Sequence, residues 1–300
     1  MNAERHRLDA HRWHWQHGPI DIVAQAHGVP EVVARAHEDA WQRFQGILPE
    51  LVGELALLRQ PVLSKVCSLH GPIARRMWEA CAPFAPEFIT PMAAVAGSVA
   101  EELIAFYHRP GIERAWLNNG GDIALHLTAG QSVRVGLFSN LARFELADLG
   151  RLSVDGKFEV KHLDPVRGVA TSGWRGRSFS MGIADSVTVL AATAAQADAA
   201  ATIIANAVNV ADPTIERSPA NACRDETDLG ERLVTIQVPP LAPEQVRRAL
   251  DEGQVCAHEL QSRGLVWAAL MVCQDQWRHV EPISSLPTSG FTEAVGATFA

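Results

Sequence analysis

Asp198 and Thr202 stand four residues apart in the run Ala197-Asp-Ala-Ala-Ala-Thr202, a spacing that puts both side chains on one face of a helix. A carboxylate and a hydroxyl among alanines suit magnesium, which takes oxygen donors and binds through few protein ligands plus substrate phosphates. Taken alone, helix structure explains the pair. Asp198 near the start of its helix complements the macrodipole, and the Thr202 hydroxyl can bond back to the Asp198 carbonyl. Upstream, Asn118-Asn119-Gly120-Gly121-Asp122 joins two apolar alternating runs. Its glycines leave backbone N–H groups open to phosphate oxygens, while Asn-Gly is also the strongest local signal for a plain hairpin turn. A third segment, Thr171-Ser172-Gly173-Trp174-Arg175-Gly176-Arg177, offers two hydroxyls and two guanidinium groups for phosphates and an indole for stacking. A solvated hairpin with surface arginines accounts for it equally well. No Gly-x-Ser-x-Gly elbow occurs in this segment, so a serine-hydrolase reading has little support.

These segments must be held by the elements around them. Trp13, Trp15 and His17 alternate, which suits a strand. The histidines at 11, 14 and 17 read as strand-edge residues before they read as metal ligands. Residues 19–26 form a second apolar strand. Pro30 opens a helix whose stripe runs Val32, Val33, Ala36, Ala40, Trp41, Phe44, Ile47 and Leu48, spaced for burial. Pro49 and Pro61 bracket a second helical stretch, 50–58. Helices are expected over 72–82 and 92–106, the latter so rich in small residues that a backbone or a ligand can approach it closely. Strands follow at 113–117, 123–127, 131–138 and 158–163. A strand at 185–191 leads into the alanine-rich helix of Asp198. Residues 212–230 read as a polar loop, 234–238 as a strand, 243–263 as a helix and 265–272 as a buried strand. With no composition break or sequence repeat, residues 1–280 are expected to form a single domain and 281–300 a loosely ordered tail.

Three hundred residues carrying a net charge of −8 and no dense Lys/Arg run argue against nucleic acid or an anionic membrane as partner. Five scattered cysteines without zinc spacing fit free thiols in a reducing cytoplasm. The first residues have no apolar signal-peptide core, and the apolar runs 89–100 and 187–195 are too short to cross a bilayer. A cytoplasmic, soluble protein is expected.

Four pieces, in this order, resemble the ApbE superfamily, the flavin transferases that attach FMN from FAD to target proteins. They are Leu117-Asn-Asn-Gly-Gly-Asp-Ile123, Val169-Ala-Thr-Ser-Gly173, Ser186-Val-Thr-Val-Leu-Ala191 and Ala197-Asp-Ala-Ala-Ala-Thr202. Thr90-Pro-Met-Ala-Ala-Val-Ala-Gly97 and Gly182-Ile-Ala-Asp-Ser-Val187 bring the chain nearest to the branch labelled UPF0280. The likeness covers roughly residues 19–275. It implies an α+β fold, a duplicated T-fold with mostly antiparallel sheets covered by helices. It implies a magnesium ion on Asp198 and Thr202, the residues that would carry the chemistry. It implies FAD held by Asn119, Gly120, Gly121, Asp122, Thr171, Ser172 and Gly173, with Arg175 available to its phosphates. The implied reaction is attack by a substrate threonine or serine hydroxyl on the FAD pyrophosphate, with release of AMP.

The chain also departs from the transferase pattern. Ala96-Gly97-Ser98 stands where the transferases carry a Lys-Gly-Tyr-like stretch. Only 174–185 fills the interval that in them holds a His-Ile-Ile-Asp-Pro segment. Three functions therefore stay open. The first is a magnesium-dependent flavin enzyme, either an FMN transferase acting on an acceptor protein or an FAD pyrophosphatase. The second is a flavin- or nucleotide-binding protein without chemistry, and the third an enzyme on another phosphorylated or heterocyclic metabolite.

Overall fold

The structure, a computed structural model, describes residues 2–63, 66–137 and 156–283. The Trp/His alternation does form a strand, β2 (Arg12–His17). It is preceded by the short exposed β1 (Glu4–Arg7), which the apolar pattern does not signal because all four residues are polar and exposed. A two-residue turn leads to β3 (Ile20–Gly28), with His17 opposite Ile20. Helix α1 (Pro30–Gly53) begins at the expected proline but runs straight through Pro49. The break comes at Glu54, whose backbone leaves the helical region, and only the single turn α2 (Leu55–Leu58) follows. A proline inside a helix costs about 3 kcal/mol. Ile47 and Leu51 on either side of it are buried, and side chains of that kind return about 1.5–3 kcal/mol each. Tertiary burial thus overrides the local stop signal.

Two helices follow, α3 (Pro72–Cys81) and α4 (Val95–Ile104), the latter entered through a 3-10 turn at Pro91–Ala94. The glycine hairpin is β4 (Ile112–Asn119) and β5 (Asp122–Leu127). Next come β6 (Ser132–Leu137) and β7 (Gly156–Lys161), which pair with each other. The expected strand end at Phe138 lies outside the described residues. The segment with the candidate chemistry resolves into β8 (Gly168–Ser172), β9 (Ser186–Ala191) and α5 (Ala194–Ala207). The stretch read as a polar loop contains β10 (Glu216–Pro219) and the single turn α6 (Ala220–Cys223). β10 pairs antiparallel with β11 (Leu233–Gln237). Backbone pairing needs no apolar stripe, so composition alone misses it. Helix α7 (Pro243–Ser262), β12 (Ala268–Cys273) and an unanticipated edge strand, β13 (Gln276–Val280), complete the described chain. The tail expected over 281–300 lies almost wholly outside the described residues. Helices with antiparallel strand pairs are the α+β class expected from sequence.

Contacts gather the chain into two compact units. The first comprises Met1–Ser132, Lys161–Ala170 and Leu190–Ala199. In it β1, β2, β3, β4 and β5 pair antiparallel in succession, and β5 pairs with the start of β8 through Ile123 opposite Val169. Helix α1 lays Ala36, Ala40, Trp41, Phe44 and Ile47 over β2 and β3, while α4 covers β4 and β5. The second unit comprises Val133–Val160, Thr171–Val189 and Ala200–Ala300. There α7 packs on the antiparallel pair β12 and β13, and the Asp185 N–H bonds the Val272 carbonyl of β12. Among the described residues no helix is long and apolar enough to cross a membrane. No disulfide links any of the five cysteines.

Candidate functional site

In the first unit, the hairpin reading of the Asn-Asn-Gly-Gly-Asp segment is correct. Asn119 pairs with Asp122 across a two-residue loop, and Gly120 and Gly121 have φ of 65° and 117°. A Cβ at Gly121 would meet nothing within 4 Å, so backbone conformation is what asks for glycine there. The Asn118 side chain accepts the Gly121 N–H at 2.8 Å and tightens the turn. The flanking polar residues point inward. Asn119 and Asp122 are only 6% and 8% exposed. Asn119 donates from Nδ2 to the Ala96 carbonyl at 3.1 Å and accepts the Asp21 N–H at 3.3 Å, which ties the turn to the entrance of α4.

The start of α5, which carries Asp198, is fixed by close backbone approach. A Cβ on Gly97 of α4 would collide with the Ala194 carbonyl, and one on Gly168 of β8 would collide with the backbone of Thr193. The small-residue run of α4 therefore makes room for another backbone. The orphan N–H groups of the helix start are satisfied from outside and from within. Glu101 Oε2 accepts the Ala195 N–H at 3.1 Å, and Thr193 Oγ1 accepts that of Gln196 at 3.2 Å. Glu101 is held in turn by Arg76, Nε to Oε1 at 3.3 Å. Arg76 also reaches Glu102 at 3.0 Å, and Glu102 pairs with Arg43 at 2.8 Å.

Asp198 sits within this frame, part-buried, with Oδ2 accepting the Gly97 N–H at 2.9 Å. Burial drives its carboxyl well above the ordinary carboxylate range, and the negative charge of Asp122 pushes the same way. The N–H groups of Gly97 and Ala96 oppose both. Two carboxylates sharing one site cannot both ionise cheaply without a proton or a cation. Of the predicted residues, the first unit thus sets Asp122 to act on Asp198, with Asn119 tied to the adjoining Ala96 carbonyl. Thr202 follows one turn later on α5, part-buried. Among the described residues, no group of three or more His, Cys, Asp or Glu is arranged to hold a metal. The N-terminal histidines serve structure. His14 pairs with Asp21 at 2.8 Å, His17 is buried, and His11 stacks on His27.

In the second unit, the Thr-Ser-Gly turn is organised by Asp185, which the sequence marks only as the start of an expected strand and as part of the Gly182–Val187 motif. Its Oδ1 accepts Trp174 Nε1 at 3.2 Å and pairs with Arg175 Nε at 2.8 Å. Its Oδ2 accepts the Gln274 N–H at 2.7 Å. The Arg175 guanidinium lies 4.9 Å from the centre of the Trp174 ring, a cation–π contact. Gly173 lets the two backbones meet, since a Cβ would lie 2.6 Å from the Asp185 carbonyl. Thr171 shares a hydroxyl–hydroxyl bond of 3.0 Å with Thr188 of β9, and Ser172 is part-buried at the end of β8. Arg175 and Trp174, offered by the sequence for phosphate and ring recognition, engage each other and Asp185. An acid just before a fully buried strand was the available signal for Asp185.

The family model described as AbpE bacteria matches residues 4–279 of the chain. A UPF0280 protein of Methanopyrus kandleri is 39% identical over 168 residues, covering 55% of this chain and 62% of the relative. One from Methanothermobacter thermautotrophicus is 37% identical over 153 residues, covering 50% and 54%. One from Methanosphaerula palustris is 34% identical over 198 residues, covering 64% and 76%. The chain spans about half the length of several curated relatives it matches, 50% in the case of the Methanospirillum hungatei protein. The solved apbe protein of Thermotoga maritima aligns with a TM-score of 0.43 at 13% identity, covering 93% of this chain and 97% of that one.

Proposed function

This chain belongs to the AbpE bacteria family, and from that premise we propose that it acts on the pyrophosphate of FAD with magnesium at Asp198. The observation that carries this reading is the Asp122–Asp198 pair, two carboxyl groups that act on each other electrostatically beside the N–H groups of Gly97 and Ala96. That donor set fits a hard divalent cation, which takes carboxylate oxygens and leaves most positions to water and substrate phosphates. Asp198 and Thr202 would hold the ion. When bound, it would supply charge neutralisation at the pyrophosphate. Gly120–Asp122 and Thr171–Gly173 are assigned to FAD by family order. The bond broken is between phosphorus and the bridging oxygen of the pyrophosphate. The FMN phosphorus passes to a serine or threonine hydroxyl of an acceptor protein, or to water. The hydroxyl proton is lost to solvent, and AMP leaves with the bridging oxygen.

The test is direct. Purified protein with FAD and magnesium is expected to form FMN, or an FMN-linked protein, and AMP in equal amounts. Asp198→Asn is expected to lower the rate at least a hundredfold. Absence of AMP with every divalent metal tried sinks the enzymatic reading. A binding protein without turnover is the second reading, favoured by Arg175 being already committed to Asp185 and Trp174. It expects flavin binding that is indifferent to chelator.

A further inference from the structure

Two reciprocal hydrogen bonds join α4 to α5. Asp198 of α5 accepts the Gly97 N–H of α4 through Oδ2 at 2.9 Å. Glu101 of α4 accepts the Ala195 N–H of α5 through Oε2 at 3.1 Å. Gly97 and Ala195 both lie in the first turn of their helices, where backbone N–H groups are open to acceptors from outside. Each acid stands about one turn further on, Glu101 four residues after Gly97 and Asp198 three after Ala195. That spacing puts each acid on the same helix face as the N–H it accompanies. Each helix therefore caps the start of the other, across a contact that leaves no room for a Cβ at Gly97.

The Glu101 end of this lock is aimed by three helices. Its second oxygen, Oε1, pairs with Arg76 Nε of α3 at 3.3 Å. Arg76 is itself fixed by the Ser98 carbonyl at 3.2 Å and by Glu102 at 3.0 Å. Glu102 pairs with Arg43 of α1, which also holds Glu50 at 2.8 Å. These pairs are part-exposed, so their charges contribute little to stability by themselves. What they supply is the orientation of one carboxylate toward the first turn of α5.

Resting on the reading above, in which Asp198 holds magnesium, we propose that Glu101 is a positioning residue for that site. It fixes the start of α5, and so the place of Asp198, by the reach of its side chain rather than by its charge. Aspartate at this position keeps the charge but is one methylene short of the Ala195 N–H. Glutamine keeps the reach and an acceptor oxygen but carries no charge. A residue that served only to complement the macrodipole of α5 would show the opposite preference.

The experiment uses the full chain with E101D, E101Q and E101A, and with E102Q as control. Without metal, the Gly97 amide reports its bond to Asp198 through its NMR shift and its hydrogen-exchange protection. E101D and E101A are expected to move that resonance and to lower its protection at least tenfold. E101Q is expected to stay within twofold of wild type. Calorimetric titration with magnesium is expected to show binding about tenfold weaker in E101D and E101A, the usual cost of losing support behind a metal ligand, and recovered in E101Q. E102Q loosens the same ion pairs without touching α5 and is expected to match wild type in both measurements. E101D and E101Q carry the test if E101A fails to fold. A Gly97 amide unmoved by E101D overturns the proposal, as does loss in E101Q with retention in E101D. If wild type gives no magnesium response, the metal reading fails by itself. The order of the variants at the Gly97 amide then still decides whether Glu101 positions Asp198.

Discussion

Asp198 and Asp122 bear on one another from α5 and from the end of the glycine hairpin, and each deepens the electrostatic problem of the other. The N–H groups of Gly97 and Ala96 ease it only in part. Asp198→Asn is therefore expected to raise the stability of the metal-free protein by about 1 kcal/mol, as replacement of buried charge often does. The same variant is expected to lose any magnesium response. Wild type at a hundredfold excess over Kd should gain about 2.7 kcal/mol. Thermal unfolding with magnesium and with chelator checks both outcomes.

The glycines beside the start of α5 give a second expectation. Gly97→Ala and Gly168→Ala each force a methyl into the backbone of residues 193–194, and overpacking of this kind costs about 1–3 kcal/mol. Gly121→Ala meets no atoms and disturbs only the turn conformation. Urea titrations of the three variants should place Gly97→Ala and Gly168→Ala below Gly121→Ala in stability. The reverse order contradicts the proposed grip on the helix.

His37 provides a pH dependence. It is 7% exposed, accepts or shares the Tyr107 hydroxyl at 2.7 Å, and burial lowers its pKa from 6.5 to about 4. Above pH 6.5 the ring is neutral in both folded and unfolded chains. As pH falls below 6.5 the unfolded chain takes up a proton that the folded one refuses, so stability drops until about pH 4 and then levels. The loss attached to this residue is ~3 kcal/mol. His37→Gln keeps a partner for Tyr107 and is expected to flatten that part of the curve. Unfolding midpoints from pH 7 to 4 decide the matter.

Asp185 is the hub of the second unit's candidate turn. Asp185→Ala strands the Trp174 indole N–H and the Gln274 N–H and releases Arg175. Groups left unpaired in this way cost about 1–3 kcal/mol each where they are buried. Trp174 is part-buried, so its fluorescence should shift to the red as the indole loosens. An unchanged spectrum and midpoint would show that Trp174 and Arg175 are held by other contacts.

The sequence disclosed what periodicity and glycine chemistry govern. The α1 stripe, the Gly120–Gly121 hairpin and the Asp198 helix all rest on local patterns, and all are found where expected. It did not disclose features set by partners far along the chain. Pro49 remains inside a helix because its neighbours are buried. β1 and β13 exist through pairing with β2 and β12. Glu101 reads as a surface acid until α5 brings the Ala195 N–H to it. Ala96-Gly97-Ser98 read first as a departure from a family motif. In the fold that stretch is where Asp198, Asn119 and the α5 backbone converge.

The blankness of α5 has a practical corollary for protein engineering. Four of the five neighbours of Asp198 in 197–202 are alanines, which carry almost no shape of their own to choose a rotational setting. The setting is read from the two missing methyls at Gly97 and Gly168. A graft of the Asp198 segment onto a foreign scaffold would therefore carry the ligand and lose its aim. The portable unit is the pair of bare backbones against which the helix is registered.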